Sequence, residues 1–283
     1  MAYEFGRRKT GFPAGVARAA RRAHYSPYAV DWRFLPEQLL LAKDWLRYRL
    51  ARASNVLAET PATADLWAST LGRRVARTVT SAGVLFIHVP KTGGTSISKV
   101  LYGRNLPHYT AQFWATTYGD KIIGVPSFAV IRNPVQRLLS AYKMALFGGT
   151  DIVAYSRYWR SRLHGLQSVE RFVDFLEEST RRGEELPLDL RAQAGFILDE
   201  NGAVMVDRLF RLDARHGLAS DLGQWLGASP IPHLNATPLL DTSSSPAIEA
   251  KLRDIYRVDF ALYEAIAAAG GSAGLRGVRF KPG

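Results

Sequence analysis

VLFIHVPKTGGTSISKVLYG, residues 84 to 103, contains the change of period that decides the fold. Its first six residues are an apolar run rich in β-branched and aromatic side chains, which predicts a buried strand of a parallel sheet. PKTGGTS then turns the chain, and SISKVLYG predicts a helix ending near Gly103. A glycine-rich turn from strand into helix aims backbone N–H groups and the positive end of a helix dipole at one point, which makes an anion site. Gly93 and Gly94 let a ligand approach the backbone, and Thr92, Thr95 and Ser96 add hydroxyls. A plain tight turn would not call for a lysine, two glycines and three hydroxyls within six residues.

The pattern repeats further on. SFAVI, residues 127 to 131, is a second buried strand; it runs through RNP into PVQRLLSAYKMALFG, where Pro134 takes the first helical turn that tolerates it. Two strand–helix units predict an α/β fold, a P-loop-like parallel sheet sandwiched by helices. VMVDRLFRL (204 to 212) is a third strand candidate. Helices are predicted over VERFVDFLEEST (169 to 180), in part over LPLDLRAQAGFILDE, over DARHGLASDLGQWLG (213 to 227), and as one terminal helix in AIEAKLRDIYRVDFALYEAIAAAG. PIPHLNATPLLDTSSSP reads as a long polar loop.

Upstream, residues 1 to 81 form a basic helical extension, with residues 82 to 283 as the main domain. The first 30 residues mix Gly, Pro and Arg without a period, and helices are expected over Leu35 to Ala58 and Thr63 to Val79. The net charge of +12 points to anionic partners, and it is concentrated here: residues 1 to 82 hold 14 Lys/Arg against 6 Asp/Glu. Peripheral membrane contact and self-association are the roles left open for this extension. No apolar run approaches the roughly 18 residues of a spanning helix, and the N-terminus lacks the apolar stretch of a signal peptide. With no cysteines the chain has no disulfides or thiolate sites, and the cytoplasm is the expected compartment.

Which anion the loop holds is narrowed by its order. In a P-loop NTPase the glycines come first and GK[ST] closes the loop, with Mg²⁺ held by an acidic residue at a later strand end. Here Lys91 leads, and the second strand ends in Arg132. A transferred sulfuryl group bears one negative charge, and a lysine with fixed N–H donors can stabilise its leaving oxygen without a metal. The rival readings are a P-loop nucleotide kinase or NTPase, and a basic nucleic-acid or membrane-surface binding protein.

FIHVPKTGGTS followed by FAVIRNPVQRLLSAY resembles the paired signatures of the PAPS-dependent carbohydrate sulfotransferases, the group that includes the heparan sulfate 2-O enzymes and bacterial relatives. Weaker resemblance lies in DRLFRLD, HLNAT and IYRVDFALY. The resemblance implies PAPS as donor, no metal, no nucleic-acid partner, and a carbohydrate or other hydroxyl acceptor that can itself be anionic. Lys91 would meet the leaving oxygen, and Thr92, Gly93, Gly94, Thr95 and Ser96 would cradle the 5′-phosphate. Arg132 and Ser140 would bind the 3′-phosphate, while Arg137 and Tyr142 either join them or brace the helix. Attack by a hydroxyl also needs a base. Among six histidines His108 is the expected one, because the related enzymes have a catalytic histidine in a comparable place. His88 reads as a core imidazole, and His164 or an acidic residue are the alternatives. Residues 148 to 165, with Arg157, Arg160 and Arg162 among aromatics, are an acceptor-binding candidate or a solvated basic face. Asn235 lies in a loop that approaches the cofactor or acceptor in the family.

Overall fold

The computed structural model describes residues 70–147, 163, 165–166, 168–184, 186–213, 217–227 and 245–280. Its centre is a sheet of four strands in the order β1 (Leu85–Ile87), β2 (Ser127–Ile131), β3 (Arg208–Arg211), β4 (Ser272–Ala273). The first three strands are parallel, with Ile87 beside Ala129 and Ile131 beside Arg211. The short β4 runs antiparallel to β3, so the sheet is mixed where the sequence suggested a parallel one.

Alternation sorts the strand residues onto two faces. Leu85, Ile87, Ala129, Ile131 and Leu209 face one hydrophobic layer with α1 (Thr70–Ala82), α3 (Ala111–Ile122) and the inner side of α9 (Arg257–Ala268). Phe86, Phe128, Val130 and Phe210 face the other, against α2 (Gly94–Tyr102) and α7 (Leu218–Leu226). A third cluster joins α4 (Pro134–Phe147), α5 (Val169–Arg181) and α8 (Pro246–Ile255). Between α5 and β3 lie a 3₁₀ turn, Leu188–Leu190, and the short helix α6 (Ala194–Ile197). Among the described residues no helix is long and apolar enough to cross a membrane.

Most differences from the sequence expectations have a local cause. The second strand matches residue for residue, whereas the first is three residues rather than six, because among the described residues it lies at the sheet's edge and pairs only with β2. Its outer edge is closed by one side chain: Tyr102 Oη accepts from Phe86 N (2.8 Å) and donates to Val84 O (2.9 Å). The expected terminal helix is two helices, α8 and α9, broken at Tyr256, whose φ/ψ of −111°/33° leaves the helical region while its buried hydroxyl donates to Leu190 O at 2.6 Å. Helix α3 was not expected. The boundary anticipated between residues 81 and 82 falls at the end of α1, which contributes Val75, Ala76 and Val79 to the main core. The expected helix over 35–58 lies outside the described residues.

Candidate active site

The loop after β1 is held from beneath. Thr92 Oγ1 donates to Val89 O at 2.9 Å, so its hydrogen is committed to the turn and only its lone pairs remain for another partner. Pro90 O accepts from the buried guanidinium of Arg137 (Nε, 3.0 Å), which also donates to Arg191 O (Nη2, 2.7 Å). Arg137 thus braces the loop against the 3₁₀ turn. Tyr142 also packs inward, against the ring of Phe172.

Gly93 adopts φ 77° and is the N-cap of α2, yet no side chain caps that helix. Ser96 N donates to Gly93 O at 3.2 Å, and the N–H groups of Gly94 and Thr95 before it keep their donor capacity for an outside acceptor. Gly94 answers a different demand: a Cβ built there would lie 2.1 Å from His88 Cδ2 and 2.4 Å from His88 Nε2. Its missing side chain is filled by an imidazole. Thr95 is half-buried and Ser96 buried on the first turn.

Lys91 has φ 68°, the only positive φ of a non-glycine residue among those described. Such a conformation costs roughly 1–2 kcal/mol, and it is retained where the surroundings impose it. Among the described residues the ammonium hydrogen-bonds only to Met144 Sδ, at 2.9 Å, a weak acceptor. Burial lowers the pKa of this lysine; Asp189 works against that, and the positive charges of Arg132 and Arg137 add to it. A half-buried amine with two cations nearby and a thioether as its hydrogen-bond partner can take an anion.

Arg132 follows the end of β2, with its backbone fastened twice by Gln193: Arg132 N donates to Gln193 Oε1 and Gln193 Nε2 donates to Arg132 O, both at 2.9 Å. Asn133 Oδ1 accepts from Val135 N and Gln136 N, capping α4, so RNP reads as candidate site residue, cap and first helical residue. The half-buried guanidinium makes no hydrogen bond among the described residues; burial lowers its pKa and the charge of Asp213 opposes this. Ser140 is buried on α4 between Arg137 and Met144. Steps of three and four put these three on one helical face. The outer two reach Pro90 and Lys91, so Ser140 faces the loop as well.

His108 and His88 meet beside the loop, their ring centroids 4.0 Å apart. His108 Nδ1 is 2.7 Å from His88 O, and His88 Nδ1 is 3.0 Å from Leu106 O. A carbonyl only accepts, so each Nδ1 carries its hydrogen, and in each neutral ring Nε2 holds a lone pair. Burial is the main cause lowering the pKa of both rings. For His88 the charge of His108 adds to it; for His108 the bond to His88 O and the charge of Asp189 oppose it, while Lys91 and Arg137 lower it further. Both are therefore neutral near pH 7. Lys91 lies within electrostatic reach of Arg132, Arg137, Asp189 and His108, and His108 of Lys91, Arg137 and Asp189.

The sequence did not single out Asp189, Gln193, Asp259 or Met144. Asp259 accepts from the backbone N–H groups of Gln193 and Ala194, each at 2.8 Å, and so holds the residue that holds Arg132. Met144, Gln193 and Asp259 lie 53 to 66 residues from the groups they bond, and no local pattern marks them. His164, Asn235, Arg157, Arg160 and Arg162 lie outside the described residues.

Comparison with curated proteins and with solved structures gave no match. A family model described as "Sulfotransferase family" matches residues 76–264, well over half of the chain and including every candidate residue above. The lysine-led loop after β1 and the arginine after β2 thus sit in a protein that belongs to the sulfotransferase family.

Proposed function

We propose that this protein transfers a sulfuryl group from PAPS to a hydroxyl of a carbohydrate or related acceptor, giving PAP and a sulfate ester. The donor supplies a sulfuryl group on an activated phosphate; the bond from sulfur to the phosphate oxygen breaks as the bond to the acceptor oxygen forms. The residues around the loop fit such a donor. Among the described residues the half-buried Lys91 ammonium bonds nothing stronger than a thioether, and beside it the uncapped N-terminus of α2 offers N–H groups. These suit the leaving phosphate oxygen and its neighbours. The Arg132 fork and the Ser140 hydroxyl suit the 3′-phosphate. His108 offers Nε2 as the acceptor for the hydroxyl proton, its other nitrogen fixed on a carbonyl. The observation that carries the reading is the pair of cations Lys91 and Arg132, following adjacent strands and making no salt bridge among the described residues.

Calorimetric titration with PAP, with ADP and Mg²⁺, and with a random oligonucleotide tests it. PAP is expected to bind best, and Arg132→Ala to weaken it by about 10- to 100-fold, the loss of a charge-assisted bond. Preference for ADP with Mg²⁺ would favour a nucleotide kinase or NTPase, and preference for the oligonucleotide a nucleic-acid binder. Mass spectrometry of cell extracts incubated with PAPS and the protein, seeking a gain of one sulfuryl group, identifies the acceptor. With that acceptor in hand, His108→Ala should lower turnover by about 10²- to 10⁴-fold while PAP affinity holds.

A further inference from the structure

We infer that His88 is a positioning residue for His108 and the mechanical link between the donor loop and the base. The inference rests on the assignment of His108 as base and adds a second histidine to it. Three contacts carry it. The side chain of His88 donates to Leu106 O, two residues before His108, while the side chain of His108 donates to His88 O. Each histidine grips the other's stretch of backbone, and the rings pack against each other, tilted by 48°, in the clasp that results. On its far side the His88 ring occupies the space where any residue but glycine would place Cβ at position 94. The first turn of α2, the His88 ring and the His108 ring are thus in direct succession.

The consequence for the base is geometric. His108 has one fixed nitrogen, Nδ1, and its Nε2 points where the clasp aims it. Without the His88 imidazole, Leu106 O loses its donor and the His108 ring loses the surface it packs on. The ring is then free to turn, and either nitrogen can carry the hydrogen. Lys91, Arg137 and Asp189 are the charged groups acting on His108, and all three remain in place in such a variant. The second glycine of the loop is accordingly a packing requirement of the histidine pair, in addition to any approach of ligand to the backbone.

Long-range ¹H–¹⁵N spectra of the histidine rings in the full chain test this without an acceptor, with His108 assigned from His108→Asn. His108 is expected to show one protonated and one unprotonated nitrogen in the unaltered chain. His88→Asn, whose amide can still donate to Leu106 O, should keep that pattern, and His88→Leu should replace it with averaged signals. Gly94→Ala should disturb the His108 signals on its own but add nothing in a His88→Ala background, where the space is vacant. PAP titration of each variant reports whether the loop is intact. A single unchanged tautomer of His108 in a folded His88→Leu chain would overturn the inference, as would an unchanged His108 in Gly94→Ala. If His88→Leu does not fold, the Gly94→Ala pair with His88→Ala decides. Failure of the unaltered chain to bind PAP would remove the sulfotransfer assignment and leave the tautomer result standing, so the two failures are distinct.

Discussion

Gln193 grips Arg132 by both of its backbone groups, giving an acceptor to the N–H and a donor to the C=O, each at 2.9 Å. This is the pairing of a neighbouring strand supplied by one side chain, just where the β2 ladder stops. Because Gln193 is itself fully buried and its own N–H donates to Asp259, the position of Arg132 is set from α9. Gln193→Ala removes both bonds and leaves buried groups unpaired, so the stability should fall by on the order of 2 kcal/mol. PAP affinity should fall as well, although Gln193 is assigned no contact with the donor. Urea unfolding and PAP calorimetry measure the two effects, and an unchanged affinity would show that Arg132 needs no such anchor.

Arg137 makes a larger prediction. Its guanidinium is buried, donates to Pro90 O and Arg191 O, and lies close enough to Asp259 to counter the rise that burial imposes on that carboxyl. Arg137→Met would leave Asp259 buried without its cation, a change worth about 3–5 kcal/mol where one partner of a buried pair is removed. The expected result is a lower denaturation midpoint together with a loosened loop. If Arg137→Met were as stable as the parent, the brace between loop and turn would have no energetic content.

How far the sequence foretold this site depends on range. SFAVI was legible to the residue because the apolar run is bounded by Pro126 on one side and Arg132 on the other, and all five residues are buried. RNP was legible because each residue serves its own neighbourhood. VLFIHV was read as too long, since nothing local says that β1 lies at an edge and pairs over three residues only. Helix α3 was missed: AQFWATTYGDKI has two adjacent threonines and a glycine, which weaken helix propensity, and its case rests on burying Phe113, Trp114 and Tyr118. His88 was read as a core imidazole, and it is buried. Its clasp with His108 was invisible because it spans 18 and 20 residues through backbone carbonyls, which carry no sequence signature.

The buried histidines make stability depend on pH. Both are held neutral by pKa values below 6.5 in the folded protein, so below that pH the unfolded chain binds more protons than the folded one. Their contribution is fully present above pH 6.5 and is lost as pH falls from there toward the folded values. Each mismatched group costs about 1.4 kcal/mol per pH unit within that window. Urea midpoints should drop between about pH 7 and about pH 5.5. In His88→Asn, which removes one such group and keeps a donor to Leu106 O, the drop should be shallower. An equal slope in the two proteins would mean that His88 does not titrate on unfolding.

Lys91 leads to the most direct test of how the loop receives its anion. Burial and the nearby Arg132 and Arg137 lower its pKa in the ligand-free protein, with Asp189 opposing them. A phosphate or phosphosulfate oxygen at the ammonium acts in the other direction, because an opposite charge favours the protonated amine. Binding at alkaline pH must then draw a proton from solution, since some Lys91 is neutral beforehand and becomes charged in the complex. PAP titrations near pH 9 in two buffers of different ionisation enthalpy should give different apparent heats, with the sign of proton uptake. The uptake due to Lys91 should shrink as pH falls, because more of the amine is then charged before binding. In Lys91→Met the uptake near pH 9 should vanish, along with roughly 10- to 100-fold of affinity. Proton release instead of uptake, or equal uptake in Lys91→Met, would show that the group titrating on binding is not this lysine.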